Sequence, residues 1–280
     1  MSNIFETRYA SSPKAVKKYD TQQLREEFLI EDLLQEDKIK WVYTHYDRYM
    51  AGGAVPTSKP LFLESIDPLK SEYFLERREI GIINVGGLGK VSVDGKTFTL
   101  SHKDALYIGK GARVVIFESD DAQNPAKFYM NSAPAHNTYP TKKTSLAEAN
   151  KIELGSLETA NHRTVNQMII GGIVETCQLQ MGMTELKTGS VWNTMPAHVH
   201  DRRMEIYFYT DIRQDQAVCH FMGQPQETRH IWMHNHQAVI SPPWSIHSGS
   251  GTSNYTFIWG MAGENLDYND MDVAKITELR

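Results

Sequence analysis

Two histidines placed two residues apart, His198 and His200, are followed by Glu205 and, after the length of two or three strands, by His247. Three imidazoles and one carboxylate suit a borderline divalent cation such as Zn²⁺, with Mn²⁺ and Fe²⁺ as competitors. On an extended chain His198 and His200 leave by the same face, whereas Glu205 has the opposite parity. The four side chains meet only if the chain bends across Asp201-Arg202-Arg203, a charged interval poorly suited to a buried strand. The next run, Met204 to Tyr209, is aromatic and β-branched and reads as a strand. The pattern therefore calls for a mainly β fold whose strands converge on one ion. The bland alternative, unrelated surface histidines, is the reading adopted for His234 and His236.

The rest of the chain supports a β fold. Residues 12–29 read as helical, with Asp20 as cap, Gln23 three residues on, and Leu24, Phe28 and Leu29 forming a stripe. Gly52-Gly53-Ala54-Val55-Pro56 reads as a turn-rich connection. From about Tyr73 strands dominate, including a hairpin of Lys90–Val93 and Lys96–Leu100 across Asp94-Gly95. Further strands are predicted over 174–181, 204–209, 217–222, 230–233, 238–240 and 255–259. A weak repeat relates Glu76-Arg77-Arg78-Glu79-Ile80 to Asp201-Arg202-Arg203-Met204-Glu205-Ile206, and residues 104–111 to 237–244. Two β-barrel halves of similar build explain both echoes. The first keeps Glu79 but lacks the histidines, so the ion belongs to the second. The expected division is an N-terminal helical and strand extension (1–70), a first half without metal (71–135), a connector (136–165), a metal-binding half (166–262) and a C-terminal tail (263–280).

Composition narrows the function classes. The chain has 280 residues and a formal net charge of −5, which argues against nucleic acid or an anionic membrane as the main partner. No stretch approaches the roughly 20 apolar residues needed to cross a bilayer. The N-terminus lacks a basic-then-apolar signal pattern, and the two cysteines, Cys177 and Cys219, sit in apolar settings. The expectation is a cytoplasmic enzyme.

The His-x-His-x₄-Glu motif with a late His after a Pro-containing turn resembles the cupin metal motif, although the glycines usual around it are mostly missing. Longer stretches narrow the resemblance: residues 73–79, Asn193-Thr194-Met195-Pro196, residues 222–230, residues 241–249 and Phe257-Ile258-Trp259-Gly260-Met261. Together they resemble the 4-deoxy-L-threo-5-hexosulose-uronate ketol-isomerase family, also called 5-keto-4-deoxyuronate isomerases, of bacterial pectin breakdown. The resemblance covers nearly the whole chain. It implies a bicupin fold with two jelly-roll halves, one zinc per subunit held by His198, His200, Glu205 and His247, and a homo-oligomer, expected to be a hexamer. It also implies conversion of 5-dehydro-4-deoxy-D-glucuronate to 3-deoxy-D-glycero-2,5-hexodiulosonate. The rival readings are a 5-deoxy-glucuronate isomerase of inositol catabolism, an iron-dependent cupin dioxygenase and a non-catalytic sugar-binding bicupin.

Aldose–ketose chemistry needs an ion to polarise the carbonyl and a group to carry a proton between adjacent carbons, unless hydride shifts directly. The sequence leaves that base unidentified among Glu227, His230, Tyr207 and Tyr209. A uronate substrate also calls for a cation, and Arg suits a planar carboxylate best. Arg202 and Arg203, beside the ligands, are the first expectation for substrate binding, followed by Arg229 and the Lys142-Lys143 pair. His220, within an apolar strand, reads as a core histidine, and Trp244 as packing or a pocket wall.

Overall fold

The computed structural model describes residues 3–264 and 266–280, and β-strands dominate it. The described chain forms two compact units: residues 3–8, 32–149 and 168–181 in one, and residues 9–31, 150–167 and 182–280 in the other. No helix is long and apolar enough to cross a membrane among the described residues.

The first unit has a seven-stranded sheet in the spatial order Asn3–Arg8, Ile39–Thr44, Met50–Ala54, Phe128–Pro134, Arg78–Asn84, Ala105–Ile108 and Lys142–Thr144. Its four-stranded sheet runs Leu61–Phe62, Val115–Ser119, Gly89–Val93 and Lys96–Leu100. One core joins them, with Trp41, Ile82 and Phe128 from the larger sheet and Val91, Leu100 and Phe117 from the smaller. Burial of this apolar surface between two sheets is the main force holding the unit together. The hairpin forms as its sequence predicts, with Asp94 at φ 46° and Gly95 at φ 88° giving the left-handed pair that a two-residue turn requires.

Three expectations change here. Gly52 and Gly53 lie within the strand Met50–Ala54 and not in a turn, because a Cβ at Gly52 would stand 2.4 Å from the Trp41 ring. Glycine there lets backbone and indole approach closely. Residues 1–70 are not a separate extension, since Ile39–Thr44 and Met50–Ala54 are interior strands of the seven-stranded sheet. Residues 174–179 are not a strand: the backbone N–H groups of Cys177, Gln178 and Leu179 donate to the Glu79 carboxylate in place of a ladder.

The second unit repeats the plan. Its seven-stranded sheet runs Asn150–Leu154, Arg163–Ile169, Gln180–Leu186, Thr256–Gly263, Arg203–Thr210, Ala238–Ser241 and Leu29–Ile30. Its four-stranded sheet runs Trp192–Asn193, Ser248–Gly251, Val218–Gln224 and Glu227–Met233. Arg203–Thr210 stands fifth in its sheet, as Arg78–Asn84 does in the other, so the sequence echo reflects equivalent strands. The stretch read as a connector contributes strands to both plans, Lys142–Thr144 to the first and Asn150–Leu154 to the second. Residues 9–31 also belong to this unit, through the helices Pro13–Val16 and Thr21–Phe28 and the pairing of Leu29–Ile30 with Ala238–Ser241. The capping box forms as read: Gln23 N donates to Asp20 Oδ1 at 2.9 Å, and Asp20 N donates to Gln23 Oε1 at 3.0 Å.

Candidate metal centre

The bend required by parity is a turn at Asp201 and Arg202, between the short strand His198–Val199 and the strand Arg203–Thr210. His247 arrives from a second turn, closed by Ser245 N donating to Pro242 O at 2.9 Å. The ligand atoms of His198, His200, Glu205 and His247 all lie within 4.8 Å of one another, and all four residues are buried. His198 Nε2 and His247 Nε2 are 3.0 Å apart, while Glu205 places Oε1 2.8 Å from His200 Nε2 and Oε2 3.6 Å from His247 Nε2. Although His200 Nε2 is close to Glu205, it is buried without a hydrogen-bond partner. A buried nitrogen without a hydrogen-bond partner beside two other imidazoles and a carboxylate is the donor set of a borderline divalent ion.

The opposite ring edges are held. His200 Nδ1 lies 2.7 Å from the backbone oxygen of Asp270 and His247 Nδ1 lies 3.2 Å from Ser241 Oγ. With Nδ1 donating to the Asp270 carbonyl, the His200 Nε2 lone pair faces the cluster, as a ligand tautomer requires. Burial lowers His198 to about 4 and pushes His247 well below the ordinary histidine range. Burial alone would raise the Glu205 carboxyl, but the neighbouring His247 and His200 imidazoles outweigh it and hold the group below the usual carboxylate range.

The cluster borders a cavity of about 360 Å³. Besides His198, His200 and Glu205, its lining includes Arg163, Thr194, Tyr207, Trp259 and Tyr268. Trp259 comes close to the strand Gln180–Leu186 because Gly182 leaves room: a Cβ there would stand 2.2 Å from the indole. Tyr207 places its hydroxyl 3.2 Å from Thr194 Oγ1, and burial pushes its phenol well above the ordinary tyrosine range.

The other expected residues lie elsewhere. Arg202 is exposed and its Nε donates to Glu264 Oε2 at 2.9 Å. Arg203 is buried, with Nη1 donating to Asp267 O at 2.6 Å and Nη2 to Tyr268 O at 2.9 Å. Neither lines the cavity: one guanidinium is spent on a surface acid, the other on the main chain of the C-terminal segment. Arg78, at the equivalent place in the first unit, likewise donates to the Arg48 and Ser132 carbonyls, so this repeated arginine is a clamp for backbone. Arg229 pairs with Glu227, and Lys143 with Asp104. Glu227 and His230 do not line the cavity, nor does Tyr209, whose hydroxyl lies 2.8 Å from His220 Nδ1. Trp244 packs edge-on against Phe28, ring centroids 6.3 Å apart. The C-terminal tail (263–280) pairs Asp272–Val273 with His198–Val199 and brings Tyr268 to the cavity. Its contribution to His200 is a main-chain carbonyl, which leaves no trace in side-chain pattern.

His220 is a core histidine as read, lowered by burial to about 3. The folded state keeps it neutral, whereas the unfolded chain takes up a proton below pH 6.5. Its contribution to stability is therefore complete above pH 6.5 and is lost as pH falls from 6.5 toward 3. Between pH 7 and 5 the loss is about 2 kcal/mol, at about 1.36 kcal/mol per unit. Urea unfolding of the wild type and His220→Gln at both pH values reads this as a shallower pH dependence in the variant. Identical pH dependence contradicts it.

Residues 28–276 match the KduI/IolB family. The chain is 80% identical, over the full length of both proteins, to a 4-deoxy-L-threo-5-hexosulose-uronate ketol-isomerase of Formosa agariphila. It is 57% identical, again over the full length of both, to 4-deoxy-L-threo-5-hexosulose-uronate ketol-isomerase 1 of Bacteroides thetaiotaomicron. An IolB-like protein of known structure from Salmonella typhimurium LT2 shares the fold, with a TM-score of 0.66 at 14% identity over 81% of this chain and 87% of that one. Matched end to end by such relatives, and to the family across all but its two ends, the chain belongs to the KduI/IolB family.

Proposed function

We propose that this chain is a zinc-dependent aldose–ketose isomerase that converts 5-dehydro-4-deoxy-D-glucuronate to 3-deoxy-D-glycero-2,5-hexodiulosonate in the breakdown of pectin and related polyuronates. The observation that carries this reading is the buried cluster of His198, His200, Glu205 and His247, three of which line a substrate-sized cavity, in a chain 80% identical to a ketol-isomerase of that specificity. The four residues would hold one zinc per subunit. Bound zinc supplies Lewis acidity, which polarises the aldehyde and stabilises the negative charge of an enediolate.

The chain's own groups do the rest. Hydrogen leaves C2 and returns at C1, and the O2 hydroxyl proton passes to O1, so the rearrangement needs no outside oxidant. Tyr207, kept as a phenol by burial, donates a hydrogen bond to the oxygen that gains charge, and Thr194 fixes its hydroxyl. Phe257, Trp259 and Met261 line the cavity with apolar surface and limit water around the reacting carbons. Tyr207→Phe is expected to lower kcat about 100-fold at unchanged metal content; an unchanged kcat removes Tyr207 from the mechanism.

Each sheet pair is read as one half of a bicupin, on the strength of the repeated strand plan. The assembly is read as a cytoplasmic homo-oligomer, a hexamer by family resemblance. Incubation of the zinc-loaded protein with 4-deoxy-5-ketouronate in deuterated water tests the activity. One deuterium at the terminal hydroxymethyl carbon of the diketo acid, the former aldehyde carbon, marks proton transfer, and unlabelled product marks a hydride shift. No product overturns the assignment.

A further inference from the structure

A substrate that ends in a carboxylate needs a cation in this cavity, and among the described lining residues Arg163 is the one arginine or lysine. It opens the strand Arg163–Ile169 and is only 7% exposed. Its Nη1 donates to the backbone oxygen of Asn161 at 2.8 Å, while its Nε is buried with no hydrogen-bond partner. The groups that act on its charge are the phenols of Tyr207, Tyr255 and Tyr268, none of them a carboxylate. A guanidinium carries five donors, so burying it against one neutral carbonyl leaves much of its desolvation uncompensated. A carboxylate is the group whose geometry completes it, by two parallel charge-assisted bonds. Arg203 also has a buried Nε without a partner, but its Nη groups reach three carbonyl oxygens where Arg163 reaches one, and Arg78 is occupied at both Nε and Nη2. Arg163 lines the same cavity as His198, His200, Glu205 and Tyr268, which puts the guanidinium and three members of the cluster on one space.

We propose that Arg163 binds the C6 carboxylate of the substrate through its free Nε edge and so turns the C1–C2 end toward His198, His200 and Glu205. This rests on the reading of the site as a uronate isomerase, and it replaces Arg202 and Arg203 as the carboxylate partner. Arg163 is thereby the residue that selects an acid over a neutral sugar. Burying Arg163 without a counter-charge in the free enzyme makes the site favour an anion strongly over an isosteric amide.

The test uses the metal-loaded full chain as wild type, Arg163→Met and Arg163→Gln, with 4-deoxy-5-ketouronate and its C6 carboxamide. Arg163→Met is expected to raise KM for the acid about 100-fold while leaving kcat/KM for the carboxamide within about threefold of wild type. Metal content stays unchanged. Arg163→Gln, which keeps a donor for Asn161 O, separates loss of charge from loss of fold and gives the same substrate split. An unchanged KM for the acid, or an equal loss on both substrates, overturns the proposal. Calorimetric binding of the C1 alcohol of the same acid, which has no aldehyde to isomerise, separates this claim from the activity. Binding by wild type that is lost in both variants supports Arg163 even if the wild type turns nothing over. Equal binding by all three proteins, or none by wild type, overturns it whatever the activity.

Discussion

Alanine at His198 or His247 is expected to remove the ion and the activity together, with kcat/KM falling about 1,000-fold or more. That figure corresponds to about 4 kcal/mol of transition-state stabilisation, the several kcal/mol that a Lewis-acidic ion supplies to a developing oxyanion. The two residues reach the cluster from different parts of the second unit, one on the short strand His198–Val199 and the other after the turn at Ser245. Loss of either leaves three donors, one of them Glu205. Folding should survive. The site lies at a cavity and not at the centre of the apolar core, so the unit does not depend on metal as a zinc finger does. The proper comparison is therefore with metal-free wild type, because bound zinc itself raises the melting temperature by mass action. Elemental analysis alongside steady-state assays decides the matter. A variant that loses its metal yet keeps full activity shows that the ion is not catalytic.

The second large effect is expected in the other unit, which has no such cluster among its described residues. Glu79 is fully buried, and its carboxylate accepts four hydrogen bonds. Oε1 takes Gln178 N at 2.9 Å and Leu179 N at 2.8 Å, and Oε2 takes Cys177 N and the Tyr107 hydroxyl, each at 2.8 Å. Burial and the Glu79 charge together push the Tyr107 phenol far up. Where Glu205 faces imidazoles, its counterpart in the repeat thus faces main-chain amides. Glu79→Ala strands three backbone donors and a phenol in the interior, at a cost of about 3–5 kcal/mol. That is a fall of about 10 °C in the melting temperature of this unit. Metal content should not change. Thermal melts and metal analysis of one preparation read both quantities; an unaltered melt refutes the clamp, and a loss of metal means that the ion is tied to the wrong unit.

Much of this was legible because residue type and spacing act locally. His198 and His200 share a face by strand parity alone, and the charged interval Asp201-Arg202-Arg203 marked the bend that brings Glu205 round, although Arg203 itself already belongs to the next strand. Asp20 and Gln23 announced their capping box, and Asp94-Gly95 its hairpin. The four histidine and carboxylate ligand candidates come together as their spacing required.

What escaped the sequence depends on partners distant along the chain. Gly52 reads as a turn until Trp41 is laid over it. Residues 174–179 read as a strand because Val174 and Leu179 are apolar, whereas a carboxylate about 100 positions away takes the amides of Cys177, Gln178 and Leu179. Arg203 looked like a substrate residue because it adjoins the ligands and shares strand parity with Glu205, but parity does not say what a long side chain meets. Its guanidinium instead holds the carbonyls of Asp267 and Tyr268. Arg163 was hidden in a polar stretch whose composition suggested a linker. Its burial comes from tertiary packing, which no local pattern records.

Stripping the metal and restoring it stepwise is the most direct measurement of the central claim. Isomerisation of 4-deoxy-5-ketouronate should vanish in the metal-free protein and return in proportion to added Zn²⁺, reaching its plateau at one equivalent per chain. Full turnover without metal, or recovery only with Fe²⁺ and oxygen, would contradict a zinc-dependent isomerase at His198, His200, Glu205 and His247.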